Sequence, residues 1–98
     1  MQTIQQLLQY VVDHQASDLH LVVGVPPTVR IDGNLVAVPA EAPLSGATVE
    51  QLVAGVVTTP QKEVLMTNKE LDFSFALGDK ARFRVNAYFQ RGSMAASF

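Results

Sequence analysis

Cysteine is absent from this chain, which excludes disulfide bonds and thiolate metal sites. The two histidines, His14 and His20, are too few to close a structural zinc site by themselves, and we expect no metal site. The phosphate-binding patterns GxxxxGKS, GxxxxGKT and GxGxxG do not occur, and no serine nucleophile motif accompanies His20. We therefore expect that this chain is not an enzyme on its own.

Positive charge and long apolar runs are also scarce. Seven Lys and Arg residues against nine Asp and Glu give a formal net charge of −2, too little positive charge to coat a nucleic-acid groove. Apolar runs extend over only a handful of residues, whereas a membrane span needs about 20. With 98 residues and 48% hydrophobic content, we expect one soluble, folded domain that neither binds nucleic acid nor inserts into a membrane.

Three stretches have the features of helices. Thr3 and Gln6 fit a capping box, and apolar residues at helical spacing follow over about residues 4–15. Thr48 and Gln51 repeat the capping-box pattern ahead of a second helix. The Thr-Pro pair at 59–60 is interpreted as the N-cap and first residue of a third, short helix.

Alternating apolar and polar residues predict six strands. Three lie near residues 19–23, 28–31 and 34–38, and three more near 71–77, 81–90 and from 93 onward. Asp32-Gly33 predicts a type I′ hairpin between the second and third strands. This order of elements indicates an α+β domain, with an antiparallel sheet of about six strands packed against three helices. The last segment is still apolar at Phe98, and we expect the chain to be part of a longer protein.

The arginines are unevenly distributed, with three of the four within residues 82–91. Arg82, Arg84 and Gln90 share one face of the predicted strand, where neighbouring side chains are about 6.5 to 7 Å apart. Such a face could bind phosphate, because guanidinium groups grip phosphate oxygens in bidentate fashion and keep their charge. The alternative is an ordinary solvated face whose arginines pair with Asp72 or Glu70 on the neighbouring strand. Both interpretations remain open on pattern alone.

Two polar residues near the first strand are weaker candidates. His20 could act as a general base, but a hydrogen-bonded structural role is favoured because no nucleophile accompanies it. Asp18 is expected to cap backbone amides at the corner between the first helix and the first strand.

Three segments, in this order, resemble one known family: ASDLHLVVGVPPTVRIDGNL, ELDFSF and ARFRVNAYFQRG. They are similar to the N-terminal domain of the PilT-type twitching-motility ATPases, which retract type IV pili, and the resemblance covers nearly the whole chain. It implies that residues 1–98 form a single PAS-like domain of a hexameric, cytoplasmic motor at the inner face of the membrane. A RecA-like ATPase domain carrying the Walker motifs would lie outside this chain.

The resemblance also implies roles for particular residues. Arg84, then Arg82 and Arg91, would reach the phosphates of ATP, which the RecA-like domain holds with Mg²⁺. Arg30 and Gln90 would make contacts between domains. The implied partners are the RecA-like domains of the same and the neighbouring subunit, and the platform protein of the pilus in the inner membrane. A self-standing PAS-like sensor of small ligands and a simple oligomerisation module are the alternatives.

Overall fold

A computed structural model describes residues 2–98, within which the chain forms three helices and six strands. In chain order they are α1 (Ile4–Asp13), β1 (Asp18–Leu21), β2 (Thr28–Ile31), β3 (Asn34–Ala37), α2 (Gly46–Ala54), α3 (Thr59–Asn68), β4 (Glu70–Leu77), β5 (Ala81–Gln90) and β6 (Ser93–Ser97). The predicted α+β class and the predicted numbers of helices and strands are therefore confirmed. No helix in residues 2–98 has the length and hydrophobicity that crossing a bilayer requires.

The strands form one sheet in the order β3-β2-β1-β6-β5-β4, and neighbouring strands are antiparallel. The last strand, β6, lies between β1 and β5 and pairs with both. Its central residues, Met94, Ala95 and Ala96, are buried. The β4–β5 hairpin therefore forms one edge of the sheet, and the β2–β3 hairpin forms the other.

The core lies between the helices and one face of the sheet, and every second residue of the strands contributes an apolar side chain to that face. Leu7 and Leu8 of α1 are fully buried in the same cluster as Leu19 and Leu21 of β1. Successive side chains of a strand point to opposite faces, so the residues between these apolar ones face away from the helices. On β4 and β5 those intervening residues are exposed or half-buried. The sheet thus has an apolar face under the helices and a polar face toward solvent.

The first helix begins at the predicted capping box. Thr3 Oγ1 accepts a hydrogen bond from the backbone N–H of Gln6 (3.2 Å), and Gln6 Oε1 accepts one from the backbone N–H of Thr3 (2.8 Å). Two otherwise unpaired N–H groups are satisfied in this way.

The other two helices begin earlier than predicted. Ser45, not Thr48, is the N-cap of α2, and its hydroxyl accepts a hydrogen bond from the backbone N–H of Thr48 (3.2 Å). Thr58 caps α3, one residue before the predicted cap, and Gln61 completes a capping box there. Each segment offers two hydroxyl residues near its start, so sequence pattern alone does not select the one that caps.

Two tight turns depend on positive φ angles. Asp32 and Gly33 have φ values of 50° and 81°, as the predicted type I′ hairpin requires. Arg91 and Gly92, between β5 and β6, have φ values of 53° and 80°. Arg91 is therefore a turn residue and not part of the arginine-bearing strand.

We expect Gly55→Ala to destabilise the fold, because a Cβ atom there would lie 2.8 Å from Ile4 Cγ2, and Ile4 is only 3% exposed. Crowding of this kind typically costs about 1 to 3 kcal/mol of unfolding free energy. Gly46→Ala is the matched control, since nothing lies within 4 Å of its added Cβ. Alanine in α2 should there be neutral or stabilise by up to about 1 kcal/mol. Urea denaturation measures both variants, and an unchanged midpoint for Gly55→Ala would contradict the packing described here.

Candidate functional site

The polar face of β5 carries two of the candidate arginines. Arg82 and Arg84 are exposed, whereas Phe83 and Val85, which alternate with them, are buried in the core. The side chain of Arg84 is 84% exposed. The predicted placement of both arginines on one solvent-facing side of a strand is confirmed.

Arg84 forms an ion pair with Asp72 on the neighbouring strand. Its Nη2 lies 2.8 Å from Asp72 Oδ2, and its Nε lies 3.3 Å from Asp72 Oδ1, so the contact is bidentate. The hydrogen bond from Arg84, together with its positive charge, lowers the pKa of the Asp72 carboxyl, and the pKa of Arg84 is raised in turn. The pairing with Asp72 that the sequence left open is thus present. Glu70 instead accepts a hydrogen bond from Asn86 (3.4 Å).

Arg82 has a weaker local partner. Its Nη1 lies 3.4 Å from Ser74 Oγ, at the long end of hydrogen-bond distances. Within residues 2–98, no carboxylate lies within ion-pair distance of Arg82 or Arg91. The sequence pattern did not single out Ser74. Alternation along β4 nevertheless places it opposite Arg84, on the solvent-facing side of the sheet that carries Arg82 and Arg84, called the arginine face below.

The arginine face is a surface and not an enclosed cavity. A depression of about 570 Å³ is lined by the two arginines and their neighbours Asp72, Phe73, Ser74 and Phe83. No group of three metal-ligating side chains occurs in the described part of the chain. Exposed guanidinium groups such as these can donate hydrogen bonds to an anion, phosphate included.

Arg91 does not join this face. It lies in the β5–β6 turn, seven residues beyond Arg84, which corresponds to about 23 Å along an extended strand. Arg91 and Gln90 line a separate depression of about 230 Å³ with Val22 and Val23. One phosphate group cannot contact Arg84 and Arg91 together in this structure.

Arg30 is held within its own part of the sheet. Its Nε lies 3.5 Å from Asp18 Oδ1, and its Nη1 donates to the carbonyl of Gly33 (3.1 Å). Asp18 also accepts from the Ser17 hydroxyl (2.5 Å) and contacts Nε2 of His20. The prediction that Asp18 caps backbone amides is therefore wrong, because side chains surround its carboxylate. His20 has the hydrogen-bonded environment expected of a structural histidine.

The comparisons with known proteins identify a family. No protein-family model matches the sequence. The type IV pilus retraction ATPase PilT of Pseudomonas aeruginosa is 37% identical over 95 residues, which are 97% of this chain and 27% of PilT. The crystal structure of the pilus retraction motor PilT with bound ADP matches 99% of this chain with a TM-score of 0.91 and 34% identity. The chain is a homologue of the N-terminal domain of the PilT-type pilus ATPases.

A further PilT-type relative agrees with this assignment. The type IV pilus ATPase PilU of Pseudomonas aeruginosa is 33% identical over 87 residues, 89% of this chain. The chain spans only about a quarter of the length of these PilT-type proteins, between 22% and 28%. Its α+β fold matches the N-terminal domain of PilT.

We expect the Asp18 cluster to make stability depend on acid pH. The hydrogen bond from Ser17, followed by those from His20 and the charges of His20 and Arg30, lowers the pKa of Asp18 below its ordinary 3.8. The ionised carboxylate thus stabilises the fold above pH 3.8, and this contribution is lost as the pH falls through the lowered value.

Asp18→Asn should reduce the free energy of unfolding at pH 7 by roughly 1 kcal/mol and flatten its dependence on pH below about 4. The control is Asp79→Asn in the exposed β4–β5 turn, which should keep the wild-type profile. Urea titrations between about pH 2 and 7 make the comparison. A profile for Asp18→Asn that runs parallel to the wild-type profile would refute the role of this cluster.

Proposed function

We propose that this chain is the N-terminal domain of a hexameric ATPase that powers type IV pilus retraction, and that Arg84 and Arg82 contact the phosphates of ATP. The similarity to PilT over 97% of the chain supports the motor assignment. One observation supports the phosphate contact: two arginines lie on the exposed face of β5, and Arg82 has no carboxylate partner within residues 2–98.

The chemistry of the contact follows from the guanidinium group. It keeps its charge at any physiological pH and matches two phosphate oxygens at once. Arginines supplied to a γ-phosphoryl group from outside the main nucleotide site neutralise the charge that develops during transfer. Contacts of this type are worth about 10³ to 10⁵ in rate in other phosphate-hydrolysing enzymes.

ATP and Mg²⁺ would be held mainly by a RecA-like domain outside this chain. The open arginine face agrees with a supporting role for this domain. The N-terminal domain would move as a rigid body, and closure of the cleft between domains would bring Arg82 and Arg84 to the phosphates.

The other candidate residues, Gln90, Arg91 and Arg30, lie away from the arginine face and would contact other domains instead of the phosphates. Gln90 and Arg91 lie at the far end of β5, where they could contact another part of the same or the neighbouring subunit. Arg30 is already engaged by Asp18 and Gly33, so an interdomain contact would compete with partners of its own domain. The ring would act in the cytoplasm at the inner face of the membrane, on the platform protein of the pilus.

A PAS-like sensor of small ligands is less well supported. The cleft between α2 and α3, lined by Val53, Val57, Leu65 and Met94 among others, has a volume of about 180 Å³. Ligand pockets usually enclose about 300 to 1,000 Å³, so this cleft is small for one, although Glu50 and Lys62 also line it.

In the whole ATPase that contains this domain, Arg84→Ala should lower the rate of ATP hydrolysis at least tenfold while the ring stays assembled. Arg84→Lys should fall between that variant and wild type, because lysine keeps the charge but loses the fork. Lys62→Ala removes a positive charge from the exposed part of α3 and should leave hydrolysis unchanged. Phosphate release and light scattering measure rate and assembly. Wild-type hydrolysis by Arg84→Ala would refute the proposed contact.

A further inference from the structure

Asp72 occupies the donors of Arg84 that a phosphate would need. The carboxylate receives two hydrogen bonds from the Nε–Nη2 edge of the guanidinium group. Two oxygens of a phosphate fit the same edge in the same way. Arg84 cannot offer this edge to both anions at once, so a phosphate that is gripped there must displace the carboxylate.

The pair is placed so that this displacement is easy. Asp72 is not the residue directly opposite Arg84, which is Ser74, but lies two positions along β4, on the diagonal. Arg82 reaches Ser74, and Asn86 reaches Glu70, along the parallel diagonals. The Arg84 and Asp72 side chains are 84% and 48% exposed, and ion pairs at such exposure are held only weakly.

The ion pair between Asp72 and Arg84 also reduces the positive charge of the arginine face. Arg82 and Arg84 are about 6.5 to 7 Å apart along the strand and repel each other. Asp72 reduces the charge of this group from two positive charges to one. A polyphosphate with several negative charges can reach both arginines, whereas a monoanion gains no more from Arg84 than the tethered carboxylate does.

We propose that Asp72 is a positioning residue: it holds Arg84 along the β4 edge of the sheet and gives way to a polyphosphate, so that Arg84 exchanges one anion for another. This inference rests on the proposed phosphate contact. It adds that the arginine face binds polyphosphate in preference to singly charged anions. Asp72 produces this preference because an anion must compete with its carboxylate for Arg84.

The test compares Asp72→Asn with Glu70→Gln in the 98-residue chain. Both variants remove one negative charge from the polar face of β4, but only Asp72 pairs with an arginine. The probe is inorganic tripolyphosphate at low salt, and NMR resonances of the arginine Nε–H groups report binding. Asp72→Asn should bind about two- to fivefold more tightly than wild type, and Glu70→Gln should stay close to wild type.

Two further variants separate the exchange from a merely structural effect. Arg84→Ala in the Asp72→Asn background should abolish the gain, because the gain passes through Arg84. Asp72→Glu should restore near-wild-type affinity, since it returns a carboxylate to the same edge. Acetate, a monoanion, should not shift the arginine Nε–H resonances of any variant to a comparable extent.

The tripolyphosphate affinities of these variants distinguish anion exchange at Arg84 from a general effect of net charge. Equal effects of Asp72→Asn and Glu70→Gln, or no effect of either, would overturn the exchange, since Asp72 would then act only through net charge or not at all. A gain that survives Arg84→Ala would overturn it as well. The proposed function fails separately, if Arg84→Ala leaves ATP hydrolysis in the whole ATPase unchanged while the Asp72→Asn gain in the isolated chain is still observed.

Discussion

The pairing of β6 with both of its neighbours is the interaction on which the rest of the sheet depends. Within residues 2–98, β6 is the strand that joins β3, β2 and β1 to β5 and β4. Its link to β1 is short and consists of the pairs His20–Ser97 and Leu21–Ala96, with backbone hydrogen bonds of 2.8 and 3.0 Å between Leu19 and Phe98. Within the sheet, β5 and β4 are therefore joined to β1, β2 and β3 through a few residues at the end of β6.

The strand order also places the ion pairs of the polar face in two separate groups. The sheet separates two acidic–basic groups: Asp18 with Arg30 near one edge, and Asp72 with Arg84 near the other. The first group is partly buried and tied together by several side chains, which suits a structural role. The second is exposed and has one bidentate contact, which suits exchange with a ligand. Similar residue types thus differ in solvent exposure and in the number of partners that hold them.

Much of the fold could be predicted from the sequence because its signals are local. Alternation located the strands, and the capping box at Thr3 located the first helix. The caps of α2 and α3 were misplaced because each helix has two hydroxyl residues at its start, and only the three-dimensional path of the chain selects Ser45 over Thr48 and Thr58 over Thr59. Strand order could not be predicted, since the pairing of β6 with β1 is not encoded in either strand alone.

The site was predicted in part for the same reason. A period of two was enough to place Arg82 and Arg84 on one exposed face. The turn at Arg91 and Gly92 could also be predicted from the sequence. The involvement of Ser74 depends on the register of β4 with β5, which the pattern does not give. The contacts of Asp18 with Arg30 likewise depend on the register between β1 and β2.

The central position of β6 has a consequence for how the domain folds. His20 and Ser97, which pair across the sheet, are 77 residues apart in the sequence. Contacts between such distant residues require closure of a long loop, and loop closure slows folding more than it lowers final stability. During synthesis the sheet therefore cannot be completed until β6 has emerged from the ribosome.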